Sequence, residues 1–157
     1  MRIIRDLEIV EDNRTRVPDD QPLPDGPVLV SLDRWRQDRD TLRERGDVGV
    51  YLSPEEDTHD LLDDLQDLPA IAFELPKFAD GRPYSRARLL RERHEYDGEL
   101  RAFGDVLRDQ LLYLHRCGFN AFEVRADKDL DDALRGLRDF TVALQPASAP
   151  PPFGADV

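Results

Sequence analysis

Apolar residues along this chain come in short runs, separated by longer stretches in which leucine returns every three or four positions. The runs at 28–30, 48–52, 71–75, 99–103 and 121–124 have the length and density of buried strands. The stretches between them carry apolar stripes at helical spacing. Trp35 and Leu42 share a face over 32–45. Leu61, Leu62, Leu65 and Leu68 form a stripe after Ser53. Ala87, Leu90 and His94 form a narrow face over 84–95. Leu107, Leu111 and Leu114 serve 106–117, and Leu130, Leu134 and Leu137 serve 128–139. Residues 140–144 read as a last strand. Strand starts near 28, 48, 70, 99 and 121 predict five βα units, hence an α/β fold with a mainly parallel sheet and right-handed crossovers. The chain is short of the roughly 250 residues of an eight-fold barrel. An open flavodoxin-like sheet and a partial barrel both remain.

The ends follow other patterns. Ile3, Ile4, Leu7, Ile9 and Val17 alternate weakly and predict a small N-terminal β-hairpin over 2–17, with Asp12-Asn13 as a turn. Residues 18–27, PDDQPLPDGP, read as a linker, and the proline-rich 145–157 as a disordered tail. A single domain over 1–144 results, with the hairpin and linker occupying 1–27. Boundary residues support the helices. Ser31, Asp105 and Asp127 can act as N-caps. Ser53-Pro54-Glu55-Glu56 has the spacing of a capping box, and Pro83 suits a first helical position.

Charge narrows the function. The formal net charge is −12, from 34 acidic and 22 basic residues, which disfavours nonspecific nucleic-acid binding. Yet residues 77–116 hold nine basic and seven acidic side chains. A locally cationic stretch in an acidic protein suits a small anion better than DNA. One cysteine, Cys117, excludes an internal disulfide or a multi-cysteine metal site. No run reaches transmembrane length, and the N-terminus lacks signal-peptide character, so a cytoplasmic protein that neither spans nor binds a membrane is expected.

The densest chemistry lies around the third and fourth strands. Pro76 stops the strand at 71–75, and Asp80-Gly81 supplies a turn. In a parallel sheet, ligands gather on the loops after the carboxyl ends of strands. Lys77 and Arg82 fall on one such loop, and Arg101 near the end of the next strand. Helix N-termini add partial positive charge at the same edge. These cations form an anion site, or they pair with Asp80, Glu99, Asp105 and Asp109 and only hold loops together. Sequence alone leaves both readings open.

The pattern Pro-Lys-Phe-x-Asp-Gly-Arg-x-Tyr-Ser-x-Ala-Arg-Leu-Leu-Arg from Pro76, followed by Gly-Glu-Leu-Arg-Ala-x-Gly-Asp-Val-Leu-Arg-Asp-Gln from Gly98, resembles a bacterial family called domain of unknown function 934. The resemblance is close over 76–122 and looser towards both ends. Small departures are Leu75, where the family often has Phe, and Asn120, where Asp is common. The resemblance implies an association with sulfite reduction in assimilatory sulfur metabolism, as a possible oxidoreductase, without a catalytic residue list. Taken with the loop chemistry, it makes Lys77, Asp80, Gly81, Arg82, Tyr84, Ser85, Arg101 and Asp105 the candidate anion-binding set. The ligand expected is a small oxyanion or a phosphorylated sulfur metabolite.

Other chemistry is missing from the chain. No Gly-x-Gly-x-x-Gly follows a strand, and there is no P-loop. Asp57, His59, Asp60, Asp63 and Asp64 cluster, but without metal-ligand spacing, so they read as a solvated helix face and no metal is expected. His59, His94 and His115 fall on three different predicted helices and read as structural. No motif names a redox cofactor. Two functions therefore stand: an enzyme or redox accessory protein of sulfite reduction, or a noncatalytic partner that docks on a sulfite- or sulfate-pathway reductase.

Overall fold

The structure, a computed structural model, describes residues 1–77, 81–124 and 129–144, the last five by backbone alone. Strands are β1 (Arg2–Arg5), β2 (Glu8–Glu11), β3 (Thr15–Arg16), β4 (Val28–Ser31), β5 (Val48–Leu52), β6 (Ala70–Leu75), β7 (Glu99–Gly104) and β8 (Ala121–Phe122). Helices are α1 (Leu32–Arg45), α2 (Arg82–Glu92), α3 (Leu111–Arg116) and α4 (Leu130–Leu144). All eight strands join one sheet in the order β2-β1-β8-β7-β6-β5-β4-β3. From β3 to β8 the pairings are parallel and sequential, while β1 pairs antiparallel with both β2 and β8.

Two features make this sheet a half-barrel. The strand order never reverses from β3 to β8, so it lacks the switch point of a flavodoxin-like sheet, and that alternative is set aside. The two edge strands, β2 and β3, are also consecutive in the chain, joined by residues 12–14. A flat sheet of eight strands would hold its edges roughly 34 Å apart. Three linking residues reach about 14 Å at most between the strand ends. The sheet must curl, and residues 12–14 cross its open side as a strap.

The N-terminal hairpin forms, but its turn is not Asp12-Asn13. Arg5 pairs with Glu8, and Asp6 and Leu7 take φ of 51° and 63°. This is a two-residue turn with both central residues left-handed. Leucine is an unusual occupant of that conformation, which hides the turn from sequence reading. The 18–27 segment is irregular, as its composition predicts, and is tied to α1. Arg34 donates to the carbonyls of Pro18 (3.1 Å) and Gln21 (2.8 Å), and Arg45 to those of Pro24 (3.1 Å) and Gly26 (2.8 Å).

Several predicted helices change form. Ser31 caps α1, accepting from the Arg34 N–H at 3.1 Å, and Gly46 ends it at φ 78°. After β5 the expected α-helix is replaced by a turn and a 3-10 helix, His59–Asp67, so the five-unit βα plan is not reproduced in that form. After β7, Asp105 is not a cap. Its N–H donates to the Leu75 carbonyl (3.0 Å), and a short 3-10 turn, Arg108–Gln110, precedes α3. Residues 140–144, expected as a strand, continue α4. That helix is capped by Asp129, which accepts from the N–H groups of Asp131 (3.0 Å) and Asp132 (3.3 Å). The predicted cap Asp127 and the tail 145–157 lie outside the described residues. His94 lies beyond the end of α2 and is exposed rather than packed.

The main core lies between the sheet and the helices. Val30, Val50, Ile71, Phe73 and Leu100 pack with Trp35, Ala87, Leu90, Leu114 and Leu134. Trp35 is fully buried and donates to Asp64 at 3.0 Å. The acidic run after β5 is not merely solvated. Arg36, Arg39 and Arg43 of α1 pair in turn with Asp60, Asp64 and Asp67. These pairs fasten the 3-10 helix to α1.

Candidate functional site

Strand alternation sends every second residue to the concave face. There β5, β6 and β8 carry small residues: Gly49, Ala70, Ala72 and Ala121. At Gly49 a Cβ would come within 2.4 Å of the Ala70 carbonyl oxygen, so only glycine fits. The room left by these small residues is filled by Leu29 of β4, by Phe103 and Arg101 of β7, and by charged side chains from the strap. Arg101, third residue of β7, is 1% exposed. Its guanidinium donates twice to Asp12 (both 2.8 Å), to Glu99 (2.9 Å) and to Glu123 (3.0 Å). Arg5 donates to Asp12 and Glu99, both at 2.7 Å. Arg16 reaches Glu123 at 2.7 Å and lies over the Phe103 ring, 4.1 Å from its centroid. Arg14, on the strap, comes within 4.0 Å of Glu99.

The electrostatics follow from burial and pairing. Burial pushes the Asp12 carboxyl up, but hydrogen bonds and charge from Arg101, with help from Arg5, outweigh it and hold the group below its usual range. Burial opposes the Arg101 charge, yet Asp12, Glu99 and Glu123 leave it more firmly protonated than a free arginine. Arg14 goes the other way: burial lowers its pKa, and Glu99 and Asp12 do not restore it.

The candidate set from the sequence is thus divided. Arg101 belongs to the interior cluster, paired with three carboxylates, and not to a loop at the strand ends. Lys77 and Arg82 are exposed on the β6–α2 connection, and Gly81 stands at the N-cap position of α2. Ser85 is exposed, with its N–H donating to the Gly81 carbonyl at 3.1 Å. Tyr84 is half-buried against Tyr113, ring centroids 5.0 Å apart. Asp105 neighbours this connection through its bond to Leu75. Asp80 lies outside the described residues.

Sequence reading missed Arg5, Asp12, Arg14, Arg16 and Glu123. The antiparallel β1–β8 pairing brings Arg5 to Arg101, the strap and β3 bring Asp12, Arg14 and Arg16, and the parallel β7–β8 pairing brings Glu123. No local motif announces such contacts. Rows of charge at alternate positions, such as Glu99-x-Arg101 and Arg14-x-Arg16, were the available signal. A separate groove of about 430 Å³ runs between α3 and α4, lined by Arg108, Leu112, Gly136 and Leu137 among others. Cys117 is buried, with Arg88 Nη2 at 3.7 Å from its Sγ. Among the described residues, no three His, Cys, Asp or Glu side chains converge as a metal site, and no helix is long and apolar enough to cross a membrane.

No curated protein matches the chain. A family model does, over residues 49–153, which takes in nearly all of β5, everything on to α4, and both motifs at β6 and β7. The chain belongs to that family, described as bacterial protein of unknown function (DUF934).

Proposed function

We propose that this protein binds a small oxyanion, or a phosphorylated sulfur metabolite, at the carboxyl end of β6, and that it serves sulfite reduction as an oxidoreductase or redox accessory protein. The observation that carries the site is the composition of the β6–α2 connection. Exposed Lys77 and Arg82 flank Gly81, where an 11-residue helix begins with no acidic residue in its first turn. The other two long helices carry acids there, Asp33 in α1 and Asp131 and Asp132 in α4. Helix N-terminal N–H groups and two cations favour a bound anion. Ser85 and Tyr84 add hydroxyls on the same first turns. The sulfur context rests on the resemblance of the two motifs to their family.

The site is tested by melting the protein with sulfite, sulfate and phosphate at constant ionic strength. Each charge-assisted hydrogen bond contributes roughly 1.5–3 kcal/mol, so Arg82→Ala should weaken binding about tenfold or more. Arg135, exposed on α4, serves as control, and Arg135→Ala should keep the full shift. No shift with any of these anions, or equal loss in both variants, overturns the site. A deletion strain that fails on sulfate and sulfite but grows on sulfide supports the pathway role. Normal growth on all sources, with no second copy of the gene, removes it.

A noncatalytic docking role is the second reading. It is favoured by Tyr113 and Leu89, exposed at 53% and 45% on the helical layer. Arg88 is exposed beside Leu89 on α2. A bound chromophore in the purified protein favours the enzyme over the docking partner.

A further inference from the structure

The interior cluster contains an imbalance. Four arginines, Arg5, Arg14, Arg16 and Arg101, share three carboxylates, Asp12, Glu99 and Glu123. Three of the arginines are satisfied by close hydrogen bonds. Arg14 is not: its side chain is only 16% exposed, and its Nε and Nη1 are shielded from solvent with no hydrogen-bond partner. The nearest carboxylate oxygen, Glu99 Oε2, is 4.0 Å away, beyond hydrogen-bond range. That oxygen already accepts from Arg101 at 2.9 Å, and Oε1 accepts from Arg5 at 2.7 Å. Both Glu99 oxygens are thus already held by other arginines. Asp12, which accepts the Arg14 backbone N–H, is likewise engaged by Arg101 and Arg5. Asp47, close enough to feel the Arg14 charge, is held by Arg45 at 2.9 Å.

A buried cation with unmet donors lacks its counter-charge. Water can meet the donors but not the charge. Burial already lowers the Arg14 pKa, and Arg101 and Arg5 press in the same direction.

We propose that Arg14 Nε and Nη1 hold a small, singly charged, acceptor-only anion, a halide or compact carboxylate, at the strap end of the half-barrel interior. The anion completes the charge balance of the cluster. It also fixes the strap, residues 12–14, against β7. This site is distinct from the one proposed on the β6–α2 connection and does not depend on it. The 16% of the Arg14 side chain that remains accessible provides the entry.

The experiment uses the full chain, exchanged into a buffer whose only anion is bulky, such as gluconate. Chloride, acetate and sulfate are then titrated at constant ionic strength while thermal unfolding is followed. Chloride or acetate should raise the midpoint along a saturating curve, by about 5–10 °C at a hundredfold excess over Kd. Arg14→Gln, which keeps polar atoms but removes the charge, should abolish the saturating part. Arg82→Ala should leave it intact, which separates this site from the other. Should Arg14→Gln fail to fold, chloride-35 NMR line broadening with wild type reads the same binding, and unlabelled acetate should reverse it. A wild-type midpoint that ignores all three anions overturns the proposal, as does an unchanged curve in Arg14→Gln. Either outcome assigns the Arg14 nitrogens to water.

Discussion

On the helix-covered face of the sheet, Val50, Ile71, Phe73 and Leu100 are buried among leucines and Trp35. On the opposite face, at the same depth, Arg101 is equally hidden, beside Asp12, Glu99 and Glu123. The two faces are closed by different physics. The first needs only apolar area and tolerates small errors of shape. The second needs every donor matched to an acceptor, because an unpaired charge away from water is costly. The first is built from neighbouring βα segments. The second joins residues up to 107 positions apart, as in Arg16 with Glu123. The charged face therefore reports on closure of the barrel, and the apolar face on its layers.

The largest effect expected from this contrast is at Arg101. Arg101→Ala removes the one guanidinium that bonds to all three carboxylates and leaves Arg5 and Arg16, at the edges of the cluster, to hold them. Removing one partner of a buried pair typically costs about 3–5 kcal/mol. Urea unfolding should show a midpoint far below wild type, or no cooperative transition. Arg36→Ala removes a guanidinium paired with Asp33 and Asp60 in water, and its midpoint should barely move. If the two variants lose stability equally, the interior cluster is solvated and the contrast fails.

The same contrast explains what the sequence discloses. The parallel strands and α1 are legible because periodicity is local and Ser31 and Gly46 mark the ends of that helix. The acidic run after β5 misleads, because its helix is shaped by tertiary pairing with Arg36, Arg39 and Arg43 rather than by the signal at Ser53. Residues 140–144 look like a strand by apolar density alone, yet continue the amphipathic run of α4. Arg101 is legible as an unusual residue in a strand, and Glu99 two residues away as one of its partners, but Asp12 and Glu123 are not. Those two arrive from the strap and from beyond β8, by a route that no short window contains. The β6–α2 connection, by contrast, keeps its charged residues within one short stretch of sequence, from Lys77 to Arg82, so a proposal about it needs no long-range contact.

Acid should separate the two faces next. The Asp12 carboxyl is held below its ordinary value of 3.8, so the folded state binds fewer protons there than the unfolded one. Its contribution is complete above that ordinary value and fades as pH falls through the lower folded value. Asp12→Asn should flatten part of the acid-side loss when urea midpoints are compared between about pH 5 and pH 2. The strand residues of the helix-covered face, Val50, Ile71, Phe73 and Leu100, have nothing to titrate. A pH profile unchanged by Asp12→Asn would show that Asp12 is not under the control of Arg101. This effect should be smaller than that of Arg101→Ala, since the amide keeps part of the hydrogen bonding.

The smallest effect is at the turn after β5, where the helix-covered side departs most from the sequence reading. A capping box would have the Ser53 hydroxyl accept from the backbone of residue 56, making Ser53→Ala destabilising by about 1 kcal/mol. In the structure the Glu56 N–H donates to the Ser53 backbone carbonyl (3.1 Å), and the Glu56 carboxylate accepts from the Ser53 N–H (2.8 Å). Arg86 of α2 then closes on the turn, donating to the carbonyls of Pro54 (3.1 Å) and Glu56 (2.6 Å). The side chain that holds this turn is thus Glu56, and Ser53 takes part through its backbone, which alanine retains. Glu56→Ala should lower stability by about 1 kcal/mol, the usual worth of one hydrogen bond with a charged acceptor on a partly exposed turn. Ser53→Ala should fall within roughly 0.3 kcal/mol of wild type, as surface changes away from caps do. Paired urea curves decide the matter. A larger loss at Ser53 than at Glu56 would mean that the capping box forms in solution, and that the 3-10 helix at His59–Asp67 is preceded by an α-helical turn.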